Sequence, residues 1–132
     1  MSENTEISEL QILKEFKQQL VVFFDQLIGL FPTNSDLVIA RIFLKDQIPV
    51  ISIMKLFILR LLPLKEMIYA KDSNFFINNN NLFEELDMNK VNQFKKIWRS
   101  TTLDDDDREA IWKWFFLFIT FSEKYQKCQI VI

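Results

Sequence analysis

Residues 104–125, DDDDREAIWKWFFLFITFSEKY, decide the fold. Read at 100° per residue, Ile111, Trp112, Trp114, Phe115, Phe116, Leu117, Phe118, Ile119 and Phe121 cover an arc of roughly 260°, which leaves Lys113, Thr120 and Lys124 as a narrow polar ridge. A helix that is apolar over most of its circumference must be enclosed. This one is too short, and too acidic at its start, to cross a bilayer. The stretch Val50–Leu62 has the same character. The reading is therefore all-α: a compact bundle of five to seven helices with two nearly fully apolar helices, Val50–Leu62 and Asp104–Tyr125, at its centre.

Working outward, the amphipathic pattern is clearest between Glu6 and Phe31. Leu13, Phe16, Leu20, Phe23, Phe24, Leu27 and Phe31 recur at three- and four-residue steps, with Lys14, Glu15, Gln18 and Asp25 opposite. Pro32 ends that helix. Asn34 or Ser35 can cap a second helix through Lys45, with Leu37, Val38, Ile39, Ile42, Phe43 and Leu44 available to bury. Pro49 suits the first position of a third helix, because its missing N–H costs nothing there, and Pro63 ends or kinks it. Leu64–Lys71 forms a further short helix. Residues 72–81, with the asparagine run Asn78–Asn81, read as a loop and as the one candidate internal boundary in a single domain spanning 1–132. A helix starting at Asp87 or Asn89 then runs to Arg99, burying Val91, Phe94, Ile97 and Trp98, and Ser100–Leu103 turns into the final helix.

Composition removes several classes of function. The 132 residues carry no histidine, one glycine and one cysteine, with a formal net charge of −2. Without histidine the commonest proton-transfer group and metal ligand near neutral pH is missing. With Gly29 alone there is no glycine-rich phosphate loop and little material for β-hairpins. Cys128 by itself makes neither an intrachain disulfide nor a thiolate cage, which suits a reducing compartment. The expectation is a non-enzymatic protein with no cofactor and no small-molecule substrate. Met1–Glu9 has no basic start and no apolar core, so no secretory signal is read there. Lys55, Arg60 and Lys113 interrupt the apolar runs before they reach a spanning length. The expected location is intracellular, neither secreted nor transmembrane.

The conspicuous polar motifs have plain structural explanations. Asp104–Asp107 lacks the alternating ligands, the glycine and the glutamate of a calcium loop, and reads as a cap that accepts first-turn N–H groups and complements the helix dipole. Lys95, Lys96, Trp98 and Arg99 set cations beside an aromatic, as single-strand binders do, yet Trp98 falls on the same face as Phe94 and Val91 and reads as core. Nucleic acid is the third-ranked partner. Trp112, Lys113 and Trp114 could mark a membrane-interface belt, but their cationic ridge is only two lysines wide. A monotopic membrane-surface protein is thus the second reading.

Residues 82–86 (Leu-Phe-Glu-Glu-Leu), 94–98 (Phe-Lys-Lys-Ile-Trp) and 111–114 (Ile-Trp-Lys-Trp) after an acidic turn resemble small uncharacterised proteins of the large DNA viruses of algae and amoebae. The resemblance covers residues 82–125 and rests on aromatic core patterns. It implies a viral origin, in virions or virus factories and the host cytoplasm, and a helical fold, with no activity and no catalytic residues to carry over. The first reading is an interaction or structural protein. Two apolar helices need more neighbours than one small domain is expected to provide, so a homodimer is expected through Trp112, Phe116 and Phe121.

Overall fold

The computed structural model describes residues 2–73 and 96–130, with side chains over 8–73 and 96–128. Every regular element among them is helical. α1 spans Ser2–Leu30, α2 Ser35–Ile42, α3 Val50–Arg60, α4 Lys65–Tyr69 and α5 Asp105–Ile130. A π-turn, Phe43–Gln47, continues α2, a 3₁₀ turn at Leu62–Leu64 joins α3 to α4, and residues 96–99 form one helical turn before α5. Most of the expected loop at 72–81, and the expected helix start at Asp87 or Asn89 with Val91 and Phe94, lie outside the described residues.

α1 and α5 make the centre. The α1 stripe is inward as its spacing predicts, with Leu13, Phe16, Leu20, Phe23, Phe24 and Leu27 all buried and Phe31 half-buried. Phe16 is fully enclosed, and its ring meets the edges of Phe57, Phe118 and Phe121 at centroid distances of 5.2, 6.1 and 6.0 Å. Phe23 meets Phe118 at 5.5 Å and Trp114 at 5.7 Å. Edge-to-face pairs of this kind add about 0.5–1.5 kcal/mol each beyond the area they bury, so the aromatic seam between α1, α3 and α5 dominates the packing. Around α5 the polar ridge is where the sequence put it: Lys113, Thr120 and Lys124 are exposed.

Caps fix the helix ends. The Asn34 Oδ1 accepts from the backbone N–H groups of Asp36 and Leu37 at 3.1 and 3.3 Å, starting α2. At α5 the Asp104 carboxylate accepts from the Asp107 N–H at 2.8 Å, and the Asp107 carboxylate accepts from the Asp104 N–H at 3.2 Å. That reciprocal pair is a capping box made with aspartate in place of glutamate. α4 ends in a Schellman arrangement, Asp72 N–H to the Met67 carbonyl and Lys71 N–H to the Ile68 carbonyl, both at 3.0 Å, which places Lys71 in the left-handed region at φ 55°.

The two strongly apolar helices differ in how far the chain covers them. Enclosing α5 does not require a second molecule, because α1 lies along one side of it and α3 and α4 along the other. Trp112 and Phe121 are only 4% and 7% exposed, consumed by the chain's own core, and the half-buried Phe116 sits against Tyr69 with ring centroids 5.4 Å apart. α3, conversely, is not enclosed all round. Ile53 and Met54 are buried, whereas Ile51, Lys55 and Leu59 form an exposed stripe at four-residue steps.

Candidate interaction surface

The apolar surplus lies at the elbow between α2 and α3. On α2 only Leu37 is buried, with Ala40 and Leu44 half-buried, so the face at i, i+3 and i+7 is the one that packs on α1. The opposite face, which a surface helix ordinarily makes polar, carries Val38, Ile39, Ile42 and Phe43. All four are exposed, Ile42 and Phe43 by nearly half. The sequence makes them available for burial. They are not buried, because a helix of two turns resting on a single neighbour can turn only one face inward, and Leu37, Ala40 and Leu44 take it.

The π-turn extends this face. Its i→i+5 bond, Ile48 N–H to the Phe43 carbonyl at 2.9 Å, sets Ile48 one wide turn beyond Phe43. π-turns are rare and recur at functional sites, since one extra residue re-aims the side chains that follow. Pro49 then caps α3 in extended backbone instead of occupying its first turn, and the chain swings through 117°. Ile48 and Ile51 are exposed on either side of Pro49, and Leu59 is 63% exposed at the far end of the α3 stripe.

The exposed charges around the elbow balance, Lys45 and Lys55 against Asp36 and Asp46. Arg41 is held to Asp25 of α1 at 2.5 Å, which anchors α2 from its flank. Asp36 stands in the first turn of α2 and Asp46 in the π-turn, each exposed, as the two lysines are. Elsewhere ion pairs join elements without forming a site. Lys65 Nζ donates to Glu123 at 3.0 Å, tying α4 to α5 and raising the lysine pKa, and Lys71 pairs with Glu109.

Other candidates offer less. A shallow apolar cleft of about 280 Å³ between α1 and α5 is walled by Phe23, Leu27, Leu30, Ile111 and Trp114. Its polar rim is already engaged, Gln26 accepting from Trp114 Nε1 at 2.8 Å and Asp107 from the backbone of Asp104. Among the described residues no three of His, Cys, Asp and Glu converge to hold a metal ion, and Asp104 and Asp107 serve the cap. Trp98 is 5% exposed and packs edge-on to Trp112 at 5.3 Å, so the cations near it have no aromatic platform there for base stacking. Cys128 is half-buried near the end of α5.

Arg108 is a further group in this region, one that sequence reasoning does not reach. It donates to the carbonyls of Trp98, Ser100 and Leu103 at 3.0–3.2 Å, closing the turn that leads into α5. Its partners lie several residues upstream across a turn, so no spacing rule points to them. No single described helix is long and apolar enough to cross a membrane, although Ser35–Gln47 and Val50–Tyr69 taken together have the length and hydropathy of a broken span. Comparison with protein-family models, curated proteins and solved structures gives no match for this chain.

Proposed function

We propose that this chain is a non-catalytic interaction protein whose working surface is the elbow of α2 and α3, and not the aromatic face of α5. The observation that carries this reading is the outward face Val38, Ile39, Ile42 and Phe43, continued by Ile48 and Ile51. Six exposed apolar side chains within fourteen residues leave a few hundred Å² of apolar surface open at one elbow, on the order of the largest patch of a typical monomer, which is often a functional one. Scattered exposed residues such as Leu10 need no such account. The patch also does nothing visible for the fold, since α2 is held by Leu37, the Asn34 cap and the Arg41–Asp25 pair.

Fractionation of cells expressing the full chain tests the reading. The wild type is expected in the sedimentable fraction, bound to a larger assembly or surface, and Ile42→Ser with Phe43→Ser is expected to move it to the supernatant while the protein still melts cooperatively. Equal distribution of the two proteins overturns the proposal.

A further inference from the structure

We infer that residues 34–48, α2 with the π-turn, form a strap that detaches from α1 by local unfolding while the core of α1, α3 and α5 stays folded. Detachment is independent of what the elbow meets.

Helix length is the first argument. α2 has eight residues, and an isolated helix shorter than roughly 12–15 residues is marginal in water, so its helicity depends on the surface beneath it. That surface is α1, on which both α2 and the π-turn rest. Leu37 is the one buried side chain of the strap, with Ala40 and Leu44 half-buried. α5, by contrast, buries Ile111, Trp112, Phe118, Ile119 and Phe121. Local stability follows buried apolar contact, which puts the strap at the low end of this molecule.

Attachment is the second. Among the described residues one ion pair ties the strap to the core, Arg41 to Asp25, with side chains 28% and 51% exposed. A pair so wet contributes little and is screened by salt. Apart from Asn34 N–H to the Phe31 carbonyl, the strap's described backbone hydrogen bonds close within it, as that from Ile48 N–H to the Phe43 carbonyl does. Pro32 and Pro49 lie just outside its two ends, and neither has an N–H to carry a helical ladder across. The Pro49 carbonyl accepts from the Ser52 and Ile53 N–H groups, so α3 keeps its first turn when the strap lifts.

Detachment uncovers Leu37 and, on α1, the half-buried Val21 and Ile28, one turn either side of Asp25. The apolar surface already open at the elbow thereby grows.

Native-state hydrogen exchange on the full-length protein tests this. Amides of residues 39–43 should exchange on the order of a hundredfold faster than those of 118–122, and with little dependence on dilute urea. Ile119→Val, a mild change at a fully buried core site, should speed exchange at 118–122 by roughly three- to tenfold and leave 39–43 unchanged, because the detached state keeps that core contact. Asp25→Asn should speed exchange at 39–43 about two- to fivefold and remove its salt dependence, and Leu37→Ala should speed it roughly tenfold or more. A common rate for the two sets of amides, or equal acceleration of both by Ile119→Val, makes α2 part of the cooperative core and overturns the strap. So does unchanged exchange at 39–43 in both Asp25→Asn and Leu37→Ala.

Discussion

Arg108 lies over the indole of Trp98, its guanidinium carbon 5.8 Å from the ring centroid, and at the same time donates from Nε and Nη2 to the Trp98 carbonyl. One side chain thereby uses both its planar face and its edge on the same residue. Further bonds to the Ser100 and Leu103 carbonyls make it the clamp that holds the 96–99 turn against α5.

Replacing Arg108 with methionine keeps the stem but strands those carbonyls, and should cost about 2–3 kcal/mol in urea unfolding. Arg108→Lys should recover only part of the loss, since an ammonium lacks the planar fork that reaches several carbonyls and stacks on indole. Equal stability of the Arg108→Met variant and the wild type would remove the clamp.

Phe16 is the most consequential single core position, being fully buried and touching rings from α3 and α5. Phe16→Ala should destabilise by about 3–5 kcal/mol, a large share of the roughly 5–15 kcal/mol typical of a domain. Phe43→Ser, an equally drastic chemical change at a half-exposed site, should cost about 1 kcal/mol. Chemical denaturation of the pair checks both.

Glycine and the left-handed turn are mismatched in this chain. Gly29 sits inside α1, where an added Cβ would meet nothing within 4 Å, while the left-handed position after α4 is held by Lys71. Gly29→Ala should therefore stabilise by roughly 0.5–1 kcal/mol through lost unfolded-state freedom. Lys71→Gly should stabilise by about 1 kcal/mol, less whatever its exposed pair with Glu109 contributes. Melts of both variants moving downward would contradict the backbone argument.

Burial, and then a hydrogen bond to Glu9, raises the pKa of the Tyr125 phenol above its ordinary value of 10.0. The neutral phenol is the form the fold favours, so its contribution to stability is complete below the unfolded pKa and is lost as pH rises through the higher folded one. The protein should accordingly lose stability above about pH 10. Tyr125→Phe should flatten that alkaline limb, which denaturation midpoints across the range will show.

Sequence legibility follows how strongly each pattern constrains a face. In α1 apolar and polar residues alternate with helical period, so Leu13 through Leu27 are assigned inward at once. Asp104 and Asp107 are readable as a cap from type and spacing. α2 is not readable, because Val38, Ile39, Ile42 and Phe43 are as apolar as Leu37 and Leu44, and only the position of α1 decides which set is covered. α5 poses the same ambiguity. With apolar residues nearly all round, the sequence cannot show that α1, α3 and α4 suffice to bury Trp112 and Phe121, so it draws attention to α5 and away from the elbow. The π-turn at Phe43–Gln47 leaves no residue signature beyond the proline that follows it.

The mutual burial of α1 and α5 also dictates an order of events during synthesis. Their partnership closes a loop comprising everything from Leu30 to Asp105, so its entropic cost comes due before its contacts are gained. As the chain leaves the ribosome, the helix bearing Phe16, Leu20, Phe23, Phe24 and Leu27 emerges first and must wait with that stripe open to water until the second half of the core exists. For that interval α1 is a sticky, unfinished surface. Chaperone capture and aggregation should therefore concentrate on chains that have not yet extruded Ile111–Tyr125.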